Sequence, residues 1–133
     1  MENLKTKIFK DLVVWQEAHK MTLQVYKVTK KFPREELFGL ISQFRRAVMS
    51  IPANIAEGYK KKGVADKLRF MNIAQGSLEE CRYYIILSKD LDYISEMENV
   101  ELEELISKTS YLLNSYCSAI IKNDGTKHPL NSP

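Results

Sequence analysis

The chain has 133 residues, of which 44% are apolar and 28% charged, enough to bury a core of its own and too apolar for wholesale disorder. Five glycines and four prolines suit a mostly helical chain, and no run of about 18 apolar residues offers a membrane span. The net charge of +3 hides an asymmetry: residues 1–62 carry thirteen basic and six acidic side chains (+7), residues 63–133 seven and eleven (−4), so an anionic partner for the first half is plausible.

Helical periodicity marks the first element over Leu12–Lys31. Val14, Ala18, Met21, Val25 and Val28 alternate at spacings of four and three, with Trp15, Thr22 and Tyr26 alongside. Asp11 is the expected N-cap, and Phe32-Pro33 ends the element. The second helix is read over Glu36–Lys60, with Leu37, Leu40 or Ile41, Phe44, Val48, Ile51, Ile55 and Tyr59 as its stripe. Pro52 lies inside it and removes the backbone bond to Val48. The apolar phase continues through the proline, which favours one kinked helix over two. Beside the stripe runs a row of small residues, Ala47, Ser50, Asn54 and Gly58, that lets another backbone approach.

A third helix spans Val64–Leu91 with Leu68, Met71, Ala74 or Ile73, Leu78, Cys81 and Ile85 facing inward. Ala74, Ser77, Cys81 and Ser88 make a second row of small side chains. Ser95 followed by Glu98 is a capping box for a fourth helix reaching about Lys122. Its inward positions are Leu102, Leu105, Ile106, Thr109, Leu112, Leu113, Tyr116 and Ile120. Four long amphipathic helices with short turns predict an all-α, up-down-up-down antiparallel four-helix bundle. It is read as a single domain over residues 1–125, with residues 126–133 a polar tail expected to be disordered.

Chemistry-bearing patterns are sparse. His19 stands alone on the first helix and His128 in the tail, and the sequence shows no HExxH, no ExxH and no glycine-rich phosphate loop. Glu79 is followed three positions on by Arg82, which removes a di-metal carboxylate reading. Cys81 and Cys117 lack CxxC spacing and read as buried thiols in a reducing compartment. No cofactor and no catalytic set is expected. The segment Met1-Glu2-Asn3-Leu4-Lys5 lacks the apolar core of a signal peptide, so a cytoplasmic protein is expected.

The basic residues are more informative. Lys60, Lys61, Lys62, Lys67 and Arg69 cluster where the second helix turns into the third. Arg45 and Arg46 lie mid-helix, and Lys20, Lys27 and Lys31 form a stripe on the first helix. Several cations on one surface, with Tyr59 as a stacking ring, are what phosphate-backbone binding needs. The competing reading is a solvated face, or for the arginine pair an ion pair between subunits.

The runs Leu40-Ile41-Ser42-Gln43-Phe44-Arg45-Arg46-Ala47, Ser50-Ile51-Pro52-Ala53-Asn54-Ile55-Ala56-Glu57-Gly58 and Ile73-Ala74-Gln75-Gly76-Ser77-Leu78-Glu79-Glu80 resemble the four-helix-bundle proteins encoded in intervening sequences of bacterial 23S rRNA genes. Asp11-Leu12-Val13-Val14-Trp15-Gln16-Glu17-Ala18 resembles the start of that family. The likeness covers about Phe9 to Leu113, and the connector Lys60–Phe70 is more basic than is usual there. The resemblance implies a homopentameric ring. It also implies kinship with the accessory variability protein of diversity-generating retroelements, a basic pentamer that binds nucleic acid and a reverse transcriptase. The expected partners are thus other copies of the chain, rRNA or another nucleic acid, and a reverse transcriptase. The alternative is a structural oligomer that docks an acidic protein. The surplus of apolar and small surface on the first three helices agrees with a subunit interface.

Overall fold

Each periodic stretch of the sequence forms a helix in the computed structural model, which describes residues 8–124. The elements are α1 (Val13–Thr29), α2 (Leu40–Lys60), α3 (Val64–Asp90) and α4 (Glu96–Lys122), with 3-10 turns at Phe9–Asp11 and Arg34–Glu36. No strand occurs among the described residues. The expected tail at 126–133 lies outside them.

Cross-helix contacts give the directions. Thr22 meets Val48 while Tyr26 and Thr29 meet Arg45. Ser50 meets Ser77 while Phe44 meets Tyr84. Gln75 meets Asn114 while Lys89 meets Glu96, and Glu17 meets Lys108 while Gln24 meets Glu101. In every pair one residue number rises as the other falls, so each helix runs antiparallel to both neighbours and α4 closes against α1. The common interior holds Val14, Ala18, Met21, Val25 and Val28 of α1, and Phe44, Val48, Ile51 and Ile55 of α2. From α3 and α4 come Met71, Leu78, Cys81 and Ile85, and Leu102, Ile106 and Leu113. Ala74 takes the inward place and Ile73 stays 47% exposed, which decides the alternative left open by periodicity.

Pro52 does not divide α2, which runs unbroken through it. The Val48 carbonyl, deprived of its helical donor, lies 3.2 Å from the Thr22 hydroxyl of α1, which also reaches the Ala18 carbonyl at 2.9 Å. The start of α2 differs from expectation. Arg34–Glu36 form a separate turn, and Leu37, counted in the stripe, lies outside the helix. Glu36 explains the break: Oε1 accepts from the Leu40 amide at 3.2 Å and Oε2 from the Tyr93 hydroxyl at 2.9 Å, so this side chain holds the helix start and the α3–α4 turn together. Asp11 is not the cap of α1 either. The N-cap position is Leu12, and the Asp11 carboxylate instead accepts from the Ile8 amide at 3.3 Å, closing the preceding 3-10 turn. The Ser95–Glu98 capping box forms as expected, with bonds of 3.1 and 2.9 Å.

The rows of small residues serve the α2–α3 contact within the chain. Ser77 Oγ donates to Ser50 Oγ at 2.9 Å, and Asn54 Nδ2 donates to the Ser50 carbonyl at 2.8 Å. At Gly58 a Cβ would stand 2.9 Å from Phe70 Cβ and 3.3 Å from the Lys67 carbonyl.

Candidate nucleic-acid interface

The antiparallel order places the turn before α1, the α2–α3 connection and the C-terminus of α4 at one end of the bundle. Lys60, Lys61, Lys62, Lys67 and Arg69 gather there. Their surroundings differ. The Lys61 ammonium lies 5.2 Å and the Arg69 guanidinium 5.0 Å from the centre of the Phe70 ring, each held by attraction to its π face. Arg69 also pairs with Asp66 at 3.4 Å, a contact between exposed groups. Lys67 Nζ donates to the Tyr59 carbonyl at 2.8 Å and the Gly58 carbonyl at 3.5 Å, and stands 5.5 Å from the Tyr59 ring. It thus closes α2 at its negative end, and burial pushes its ammonium below the usual lysine value. Lys60 and Lys62 are exposed.

Two further cations join this end that sequence reasoning left out. Lys10 lies in the turn before α1, where Phe9 shares a cleft with Lys60 and Lys61. Lys122 is in the last turn of α4, whose following residues Asn123 and Asp124 line a second cleft with Lys62 and Lys67. Both lie far along the chain from residues 60–69, so no local spacing joined them. The signal available was the antiparallel order itself.

The remaining candidates do not join this cluster. Lys20 pairs with the buried Glu17 at 3.1 Å in the α1–α4 groove, where Lys108 reaches the same carboxylate at 3.5 Å and Glu101 and Glu104 are neighbours. Arg45 turns toward α1: Nε donates to Thr29 Oγ1 at 2.9 Å, Nη2 to the Tyr26 carbonyl at 3.4 Å, and the guanidinium stacks 4.5 Å from the Tyr26 ring. It closes α1 as Lys67 closes α2, so its guanidinium is already engaged within the chain. Arg46 is exposed beside a small polar cavity with Gln43, Ser50, Ser77 and Glu80. Lys27 is exposed in the second half of α1, toward the opposite end, where Lys31 pairs with Glu98.

His19 stacks on Trp15 with ring centres 5.0 Å apart. Cys81 is buried, which pushes its thiol up to about 12 with help from the nearby Glu80 charge, and burial raises Cys117 as well. Among the described residues no group of three or more His, Cys, Asp or Glu side chains could hold a metal ion. No helix among them is long and apolar enough to cross a membrane.

Fold and surface together define an all-α four-helix-bundle protein with one cation-rich end. The family model of the 23S rRNA-intervening sequence protein matches residues 10–115, and the chain belongs to that family. Its fold is similar to the crystal structure of a protein with unknown function from the S23 ribosomal protein family of Bacteroides thetaiotaomicron VPI-5482. That likeness has a TM-score of 0.73 at 22% identity, over 80% of this chain and 96% of that one. No curated protein matches the sequence.

Proposed function

We propose that this is a non-enzymatic, cytoplasmic, self-associating protein, in a pentameric ring as the family resemblance implies, that binds nucleic acid through the basic end of its bundle. The observation that carries the proposal is the convergence of Lys60, Lys61, Lys62, Lys67 and Arg69 with Lys10 and Lys122 from distant parts of the chain. Each exposed ammonium placed on a phosphate releases a counterion, which is sequence-tolerant and strongly salt-dependent binding. Lys60 and Lys62 are the principal phosphate contacts. Lys61 and Arg69 are oriented by Phe70, and Lys67 supports the turn that presents them. The family description makes ribosomal RNA the first polyanion to test, and a reverse transcriptase remains a candidate protein partner.

The experiment is filter binding to structured RNA across a salt series, with Lys60, Lys61 and Lys62 all changed to Glu. Affinity should fall at every salt concentration, and the slope of log affinity against log salt should shrink by about two to three, roughly one per lost contact. An unchanged affinity and slope removes this site. Absence of RNA binding by the unaltered chain at about 150 mM salt, where such contacts are already screened, favours the alternative of an oligomer docking an acidic protein.

A further inference from the structure

Phe38 is 91% exposed and Leu37 46%, in the connection between α1 and α2. An apolar tip of this kind on a slack loop would carry little meaning. This one is held. The Gly39 amide donates to the Glu36 carbonyl at 3.0 Å, the Glu36 carboxylate binds both the Leu40 amide and the Tyr93 hydroxyl, and Phe32 packs on Tyr93 with ring centres 5.2 Å apart. A tip ordered before contact loses little entropy on docking.

At the other end of α2 lies a cleft of about 580 Å³ walled by Ile8, Phe9, Ala53, Ala56 and Tyr59, with Lys60 and Lys61 at its rim and Glu57 beside them. The helix rises sixteen residues from its start at Leu40 to Ala56, about 24 Å along the axis at 1.5 Å each, and the tip lies before that start, so it cannot enter the cleft of its own chain. The charges match in both signs: Arg34-Glu35-Glu36 precede the tip, and Glu57, Lys60 and Lys61 border the cleft. Carboxylates next to the tip oppose an anionic membrane surface.

We infer that the Leu37–Phe38 tip of one copy docks in the Ile8–Phe9–Ala56 cleft of a second copy, with Glu35 set against Lys60 and Lys61 and Arg34 against Glu57. The contact is heterologous, one end of the bundle on the other, and so is the kind that closes into a ring or runs on as a filament according to the rotation per step. It rests on the self-association part of the proposed function and names the surfaces that carry it. Lys62 and Arg69 lie outside the contact and stay available to a polyanion, whereas Lys60 is shared between the two surfaces and meets a phosphate only where no second copy is docked.

The test is sedimentation velocity on the full chain with two variants. Phe38→Asp removes the tip and keeps the cleft, and Ala56→Trp fills the cleft and keeps the tip. Ala53→Trp, at an exposed position, replaces the second variant if Ala56→Trp fails to fold by circular dichroism. Each variant alone should sediment as a monomer, with apparent association weakened at least about thirtyfold, the loss expected of a central aromatic anchor. An equimolar mixture of the two should form a heterodimer and nothing larger, because it holds one intact tip and one intact cleft. An unaltered chain that is monomeric throughout overturns self-association itself. An unaltered oligomer that either variant leaves intact, or a mixture that stays monomeric, overturns this contact alone. RNA binding is read separately and does not enter the result.

Discussion

The hydroxyl of Thr22 on α1 stands 3.2 Å from the carbonyl of Val48 on α2, the acceptor that Pro52 leaves without its helical donor. A proline in a helix interior costs about 3 kcal/mol partly through that lost bond. Here the hydroxyl on the neighbouring helix offers a partial replacement, its one proton shared with the Ala18 carbonyl at 2.9 Å. The pair should therefore be energetically coupled. Thr22→Val removes the donor at nearly constant shape and should cost about 1 kcal/mol with Pro52 present. In a Pro52→Ala background the backbone amide of residue 52 takes over, and the same change should cost several tenths less. A double-mutant cycle by urea denaturation measures the difference, and a coupling of zero makes the contact incidental.

Gly58 permits the closest approach of α2 to α3. Alanine there gains about 1 kcal/mol of helix propensity. It also sets a Cβ 2.9 Å from Phe70 Cβ, an atom fixed to its backbone, and against Met71 Cε, which can swing aside. Overpacking costs about 1–3 kcal/mol, so after the propensity gain Gly58→Ala should destabilise by up to about 2 kcal/mol. Denaturation midpoints at unchanged m-value report it. A more stable variant would show that the two helices separate freely.

Two carboxylates tie α4 to α1 and to the turn that follows it, and both should shape stability in acid. Burial alone would raise the Glu17 carboxyl, but the Lys20 hydrogen bond and the Lys108 charge outweigh it and hold the group below its ordinary value of 4.5. Glu98 is held below 4.5 chiefly by its Lys31 hydrogen bond, then by the Ser95 amide. A lowered folded value means the contribution is fully present above the unfolded value and is lost as pH falls through the folded one. Stability should be flat in this respect near neutrality and decline below about pH 4.5. The double variant Glu17→Gln, Glu98→Gln should decline less steeply over that acid range. Identical slopes in denaturant titrations at stepped pH would remove both groups from the account.

The two thiols should differ in alkylation. Cys81, with its thiol pushed up to about 12 in the core, should react with iodoacetamide at pH 8 only as the bundle unfolds. Cys117 is half-buried on α4, with its sulfur 3.9 Å from the Gln75 amide, and should react first but more slowly than a free cysteine. Mass spectrometry of labelled peptides over time distinguishes the two. Equal rates without denaturant would mean that the core opens as a whole.

Alternation of apolar residues at three and four positions was enough to read four helices and nearly every inward side chain, because burial on a helix follows from its own period. Val14, Ala18, Met21, Val25 and Val28 show this on α1. The Ser95–Glu98 cap was legible for the same reason: it is a bond between residues three apart. Glu36 was not, since its partners Leu40 and Tyr93 lie on either side of a turn and across the bundle, and its carboxylate breaks the helix start that periodicity had extended to it. The basic cluster was half legible. Lys60, Lys61 and Lys62 adjoin in sequence, whereas Lys10 and Lys122 reach that end only because the helices alternate in direction. Charge count could not separate them from Arg45 or Lys20, whose cations are taken up by Thr29 and Tyr26 and by Glu17. Local periodicity decided which face of each helix turns inward. Whether a cation on the outer face meets water or a neighbouring carbonyl, carboxylate or ring is set by the residues of another helix, and the fold alone brings those within reach.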